Sequence, residues 1–223
     1  MKRFSVITIT VVFLILSSFV NTAFAHHPFT SGRHLISQHG SISDNWCVDV
    51  TGSSQSYNSA KTKIDNMLKP FAGGWSDGNE YNLTFHNAPV SDNCSELTSS
   101  ELSNVSIRYY IKTDTTAECG GVSCLDIRGG QTLEHSESDG TAIDWQFVVI
   151  VIEESTFTGT AYDYIINHET GHALGLSDGD GSCPGSIMHS ADYGCSNGYP
   201  DWPTSLDKAS VKAESDEEDY GDS

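Results

Sequence analysis

Basic residues are scarce in this chain of 223: 11 Lys and Arg stand against 30 Asp and Glu, a formal net charge of −19. A surface of that sign repels phosphate backbones and anionic headgroups, which argues against nucleic acid or a membrane surface as a partner. Proline is sparse too, six residues with no Pro-rich run, so nothing reads as a linker. No CxxC pair is present, which speaks against cysteine-ligated zinc. Internal repeats are absent as well. Long apolar runs are missing except at Phe4 to Val20, which comes after Lys2 and Arg3 and leads into Ala23-Phe24-Ala25. That is the layout of an export signal with a small-x-small cleavage site. Ser5, Thr8 and Thr10 interrupt the run and speak against a membrane anchor. The expectation is a signal peptide over 1–25 and a secreted, extracellular mature chain.

Cysteine is present in an even number, six, at Cys47, Cys94, Cys119, Cys124, Cys183 and Cys195. In an exported chain this favours three disulfides over thiol chemistry. The short loops suggest Cys119–Cys124 and Cys183–Cys195, leaving Cys47 for Cys94. The chain beyond the signal is long enough for a single domain with its own core. We expect a monomer, with a polar, flexible lead-in over 26–44, one domain over 45–213 and a solvated acidic tail over 214–223.

Within that domain, Ala60, Ile64, Met67, Leu68 and Phe71 recur at helical spacing, and Pro70 with Gly73-Gly74 ends the pattern. Tyr81 to His86 reads as a strand. In "NVSIRYYIKT", Val105, Ile107, Tyr109 and Ile111 alternate with Ser106, Arg108, Tyr110 and Lys112, the period of a half-buried strand. The Gly- and Ser-rich stretch from Asp114 to Gly140 reads as a loop region. "WQFVVIVIEE" is apolar from Phe147 to Ile152, as a strand covered on both faces is. A helix then opens with a capping signature, Thr160 with Asp163, carries Tyr162, Ile166 and Ala173 on one stripe, and stops at Gly175. After an irregular stretch, "TSLDKASVKAES" reads as a last short helix. The order of elements indicates an α+β fold rather than alternating βα units.

The chemistry concentrates in "INHETGHALGLSDGDGSCPGSIMHS", Ile166 to Ser190. A helix puts residues four apart on one face, so the imidazoles of His168 and His172 can approach one ion at about 2.0–2.1 Å. Glu169 lies about 100° further round the axis, beside the open side of such an ion and free to take a proton. HExxH by itself is a short pattern that recurs by chance; the bland alternative is an amphipathic helix with two polar-face histidines. The residues beyond His172 add weight. Gly175 can reverse the chain, Asp178 comes three residues later, and Met188 lies ten beyond that.

"HETGHALGLSD", with "SIM" further on, resembles the metzincin clan of zinc endopeptidases, and within it secreted bacterial types of the snapalysin kind with aspartate in the third ligand place. The resemblance is close from Ile165 to Met188. It implies a mixed, mostly parallel twisted sheet, an active-site helix and an irregular C-terminal half ending in a helix. It implies Zn2+ held by His168, His172 and Asp178, Glu169 as general base, and Met188 in a turn that forms an apolar floor beneath the metal. It also implies a secreted endopeptidase, with water at the ion's open position as nucleophile and an extended peptide laid along an edge strand between Asp114 and Gly140. The clan's tyrosine two residues after the methionine is Ser190 here, so its contact to oxyanion or substrate is either missing or falls to Tyr193. "SDGDGS" resembles half of a calcium loop, leaving Asp180 as an alternative ligand, or Ca2+ shared by Asp178 and Asp180. His189 is a further candidate.

Two other classes of function are compatible with the chain. One is a secreted, acidic, disulfide-stapled binding protein with a structural metal, which has no use for Glu169. The other is a zinc amidase acting on a non-protein substrate such as a cell-wall link.

Overall fold

The computed structural model describes residues 33–35, 43–68, 74–76, 84–88, 90–121, 123–129, 134–137, 140–155, 162–176, 186–188 and 202–212. They form a mixed α/β arrangement. A three-stranded sheet, in the order β1-β7-β6, joins β1 (Arg33–Leu35), β7 (Gly140–Trp145) and β6 (Glu134–Glu137). A five-stranded sheet runs β3-β2-β4-β8-β5, from β2 (Ser43–Asp49), β3 (Thr84–Asn87), β4 (Ile107–Lys112), β5 (Cys124–Gly129) and β8 (Phe147–Glu153). Its first three pairings are parallel and the last, β8 with β5, is antiparallel. Two longer helices, α1 (Tyr57–Leu68) and α4 (Tyr162–Ala173), contact this sheet and each other. Short helices α2 (Ser99–Leu102) and α3 (Thr116–Cys119) lie in connections, and a last helix, α5, covers 205–212. No helix among the described residues is long and apolar enough to cross a membrane.

Alternation along the strands builds the core. Trp46 and Val48 of β2, Ile107, Tyr109 and Ile111 of β4, and Val148, Ile150 and Ile152 of β8 join Ala60, Ile64, Met67 and Leu68 of α1. Ile166 and Ala173 of α4, then Leu176, Ile187, Met188 and Val211, complete the same cluster. Burying each such side chain contributes roughly 1.5–3 kcal/mol, so the helix carrying the two histidines is held by its apolar stripe. Lys63 of α1 feels the charge of Asp163 of α4; partial burial still lowers its pKa, with Asp163 opposing.

The structure departs from the expectations in three places. The stretch from Asp114 to Gly140 is not a loop region: it contains α3, β5, β6 and the start of β7. β5 is short and exists through its ladder with β8, a tertiary cause without a local periodic trace. The supposed lead-in contains β1, and β2 already begins at Ser43. β4 is covered on its second face at one position: Arg108 is only 7% exposed, with its guanidinium 3.5 Å from the centre of the Phe147 ring, while Tyr110 and Lys112 stay partly exposed. The strand expected at Tyr81 to His86 is seen over Thr84–Asn87; Phe71, Tyr81 and Thr160 lie outside the described residues.

Two disulfides match the expected pairs, Cys119–Cys124 from its short loop and Cys47–Cys94 as the remainder, with Cα–Cα distances of 5.8 and 5.2 Å. Cys183 and Cys195 lie outside the described residues. Cys47–Cys94 ties β2 to the turn at Cys94–Glu96 across 47 residues, and the bond sits in a second small cluster with Ala88 and Val105. Loop-closure entropy for that span corresponds to about 4 kcal/mol. A Cys47→Ala/Cys94→Ala variant should therefore melt well below the parent, by roughly 10 °C at 2–4 °C per kcal/mol. A shift under about 3 °C in calorimetry would show that the bond constrains little.

Candidate metal centre

β8 feeds into α4, and the apolar stripe of α4 turns toward the sheet, so the two histidines leave the helix on another side. The helix ends as its glycine demands. Gly175 has φ of 97°, the Gly175 amide bonds the His172 carbonyl at 3.3 Å, and the Leu176 amide bonds that of Gly171 at 2.9 Å. This is a Schellman stop, which a residue with a Cβ adopts only under strain.

That stop also orients a side chain. It brings the Leu176 carbonyl oxygen to 2.8 Å from His172 Nδ1. His168 Nδ1 is held the same way, 2.9 Å from the carbonyl oxygen of Ile187. A carbonyl oxygen only accepts, so each Nδ1 carries the hydrogen and donates, which assigns the tautomer of both rings. In neutral rings both Nε2 atoms then present lone pairs, and they face each other at 3.1 Å. The rings stand edge to face, 89° apart, with centroids separated by 4.7 Å.

Two acceptor nitrogens at that separation repel unless a positive charge lies close to both. A single zinc ion bound tetrahedrally at about 2.0–2.1 Å sets its nitrogens about 3.3 Å apart. The donor set therefore fits a divalent cation of that kind, and the carbonyl partners on Nδ1 are the arrangement that holds metal-ligating imidazoles in place.

Met188, directly after the residue whose carbonyl meets His168, is fully buried. A Cβ built on Gly171 would stand 2.2 Å from Met188 Sδ and 3.4 Å from Cζ2 of Trp75, so only glycine lets the methionine lie against the helix backbone. Glu169 lies beside the histidines on the helix at 9% exposure, largely withdrawn from bulk water. The Tyr164 ring, one turn earlier, lies 5.5 Å from that of His168.

The turn carrying Ile187 and Met188 is anchored from behind by Asp207 of α5, which is 2% exposed. Its carboxylate accepts from the Ser186 hydroxyl, from the Ile187 amide at 3.0 Å, and from the Thr204 amide and hydroxyl at 2.7 and 2.8 Å. The Asp207 amide donates back to Thr204 Oγ1 at 3.3 Å, so Thr204 and Asp207 form the reciprocal cap of α5. One carboxylate thus joins the start of the last helix to the turn whose carbonyl aims His168.

Of the residues singled out from sequence, the structure brings together His168, Glu169, His172 and Met188. Asp178, Asp180, His189 and Tyr193 lie outside the described residues, and among the described residues no three metal-binding side chains form a cluster. Sequence reasoning overlooked Gly171, Ile187 and Asp207. A glycine inside a helix costs stability relative to alanine and so hints at a packing reason, and Thr204-x-x-Asp207 has the spacing of a capping box. Nothing in the sequence marks Ile187, which acts through its backbone.

No protein-family model matches the chain, and no curated protein matches it.

Proposed function

We propose that this chain is a secreted zinc-dependent endopeptidase of the metzincin kind. The observation that carries the reading is the facing pair of Nε2 atoms at 3.1 Å with both Nδ1 atoms committed to carbonyls. Two incidental histidines on an amphipathic helix would hold both rings this way only by sharing a proton between the Nε2 atoms, whereas a bound cation satisfies both lone pairs at once.

Zinc at this point supplies Lewis-acid polarisation of a carbonyl and lowers the pKa of a coordinated water to about 7. His168 and His172 would hold it through Nε2, with Asp178 as the third ligand that the resemblance implies and Asp180 as its alternative. Glu169 accepts a proton from the attacking water and passes it to the departing amine. Met188 excludes water from the underside.

The edge of the five-stranded sheet favours a peptide over another amide. β5 lies next to α4 and, among the described residues, pairs on one side only. A free strand edge offers main-chain donors and acceptors to an extended polypeptide. β5 also falls inside the Asp114 to Gly140 interval where the resemblance puts the substrate-binding edge.

The purified mature protein should contain one zinc per chain by elemental analysis. It should cleave casein, lose that activity with phenanthroline and recover it with added zinc. Stoichiometric zinc without cleavage of any peptide, but with release of muropeptide fragments, would point to the amidase; bound zinc with no hydrolysis at all would leave a binding protein with a structural metal.

A further inference from the structure

Thr170 comes directly after Glu169 and lies about 200° round the helix from both histidines, so its side chain leaves α4 on the side away from the imidazoles. There it meets Tyr109. The two hydroxyl oxygens are 2.9 Å apart, and the residues are 1% and 0% exposed. Thr170 gives its hydrogen to the Ile166 carbonyl at 2.7 Å, so the shared hydrogen must come from Tyr109. The chain of donors runs from Tyr109 to Thr170 to the backbone of α4.

Its two ends explain what it can do. Tyr109 belongs to β4, the middle strand of its sheet, laddered to β2 and β8. Its ring is met edge-on by Trp46, also fully buried. Thr170 sits midway between His168 and His172. Ile166 and Ala173 hold α4 to the same core by apolar packing. Such packing is non-directional and lets a helix turn slightly about its axis, whereas a hydrogen bond fixes direction. Replacing both hydroxyls together with apolar groups of the same shape costs far less stability than removing one, because neither member of this pair is left stranded by the other.

We propose that the Tyr109–Thr170 hydrogen bond sets the rotation of α4 and so aims His168, Glu169 and His172, making Tyr109 a positioning residue; this rests on the metal-site reading above. The test is a Tyr109→Phe/Thr170→Val double variant of the mature chain, beside the parent and Thr170→Ser. Zinc affinity is measured by competition with a chromophoric chelator, kcat and KM on a peptide, and Tm on the metal-stripped proteins. The double variant should bind zinc about tenfold more weakly and lose about tenfold in kcat at unchanged KM. Its Tm should stay within about 3 °C of the parent, equivalent to no more than a slight loss of stability. Thr170→Ser keeps the hydroxyl and should behave as the parent.

Parental zinc affinity and kcat in the double variant overturn the proposal. So do losses accompanied by a Tm fall of more than about 5 °C, since the pair would then be holding the fold and not aiming the helix. A parent chain that binds no zinc refutes the metal-site reading itself, and is recognised before any variant is compared.

Discussion

Glu169→Gln should lower peptide hydrolysis by about a thousandfold while zinc stays bound in full. The amide keeps the size and most of the packing of a side chain only 9% exposed, but it cannot take a proton from water. General base catalysis contributes about 10²–10⁴ in rate, and a factor of 10³ is about 4 kcal/mol of barrier. Because Glu169 is adjacent to His168 and is not itself counted among the ligands, the metal content should not follow the activity. The informative comparison is kcat against elemental zinc on the same preparation. Activity within tenfold of the parent would remove Glu169 from the mechanism; loss of zinc together with activity would make it a ligand.

Asp207→Ala should destabilise the fold and loosen the metal. Its buried carboxylate accepts four hydrogen bonds from the turn at 186–187 and from Thr204. Deleting it strands donors in a site that water scarcely reaches, at a cost of about 1–3 kcal/mol for each one left unpaired. A net loss of about 3–5 kcal/mol corresponds to a Tm lower by roughly 10 °C or more for a domain of this size. The same change frees the Ile187 carbonyl that holds His168 Nδ1 at 2.9 Å, so zinc affinity should fall by about 10–100-fold. Asp207→Asn retains one acceptor oxygen and should lie between the two. A Tm within about 3 °C of the parent for Asp207→Ala would mean that the turn keeps its shape without the carboxylate.

The residues that these two predictions touch are unequally legible. Glu169 stands in a pattern whose meaning is local: four residues of helix suffice to align His168 with His172, and no distant part of the chain is needed to know it. Gly175 announces its own role for a similar reason, since a left-handed φ of 97° is strained for almost every other residue. The buried stripe of α1 and the alternation along β4 come from periodicity, which reflects only which side of an element faces the core. Asp207 gives a local hint, its capping box with Thr204, but its reach to Ile187 spans 20 residues and emerges only when α5 is seen behind the turn. Alternation presents Arg108 as a solvent-facing residue, because it describes one face of a strand and is silent about what packs on the other.

Sequence by itself determined the face that His168 and His172 share, the end of the helix that carries them and the Cys119–Cys124 pair, because each depends on spacing over a few residues or on chemical type; Cys47–Cys94, 47 residues apart, followed only as the remainder. Tertiary structure alone decided that the Ile187 carbonyl fixes the His168 tautomer, why Gly171 must be bare beneath Met188, that β5 joins β8, and that Tyr109 reaches Thr170. His168 and Ile187 are 19 positions apart and Tyr109 and Thr170 are 61 apart. Partners at such separations are set by how sheet and helices pack, which no local pattern encodes.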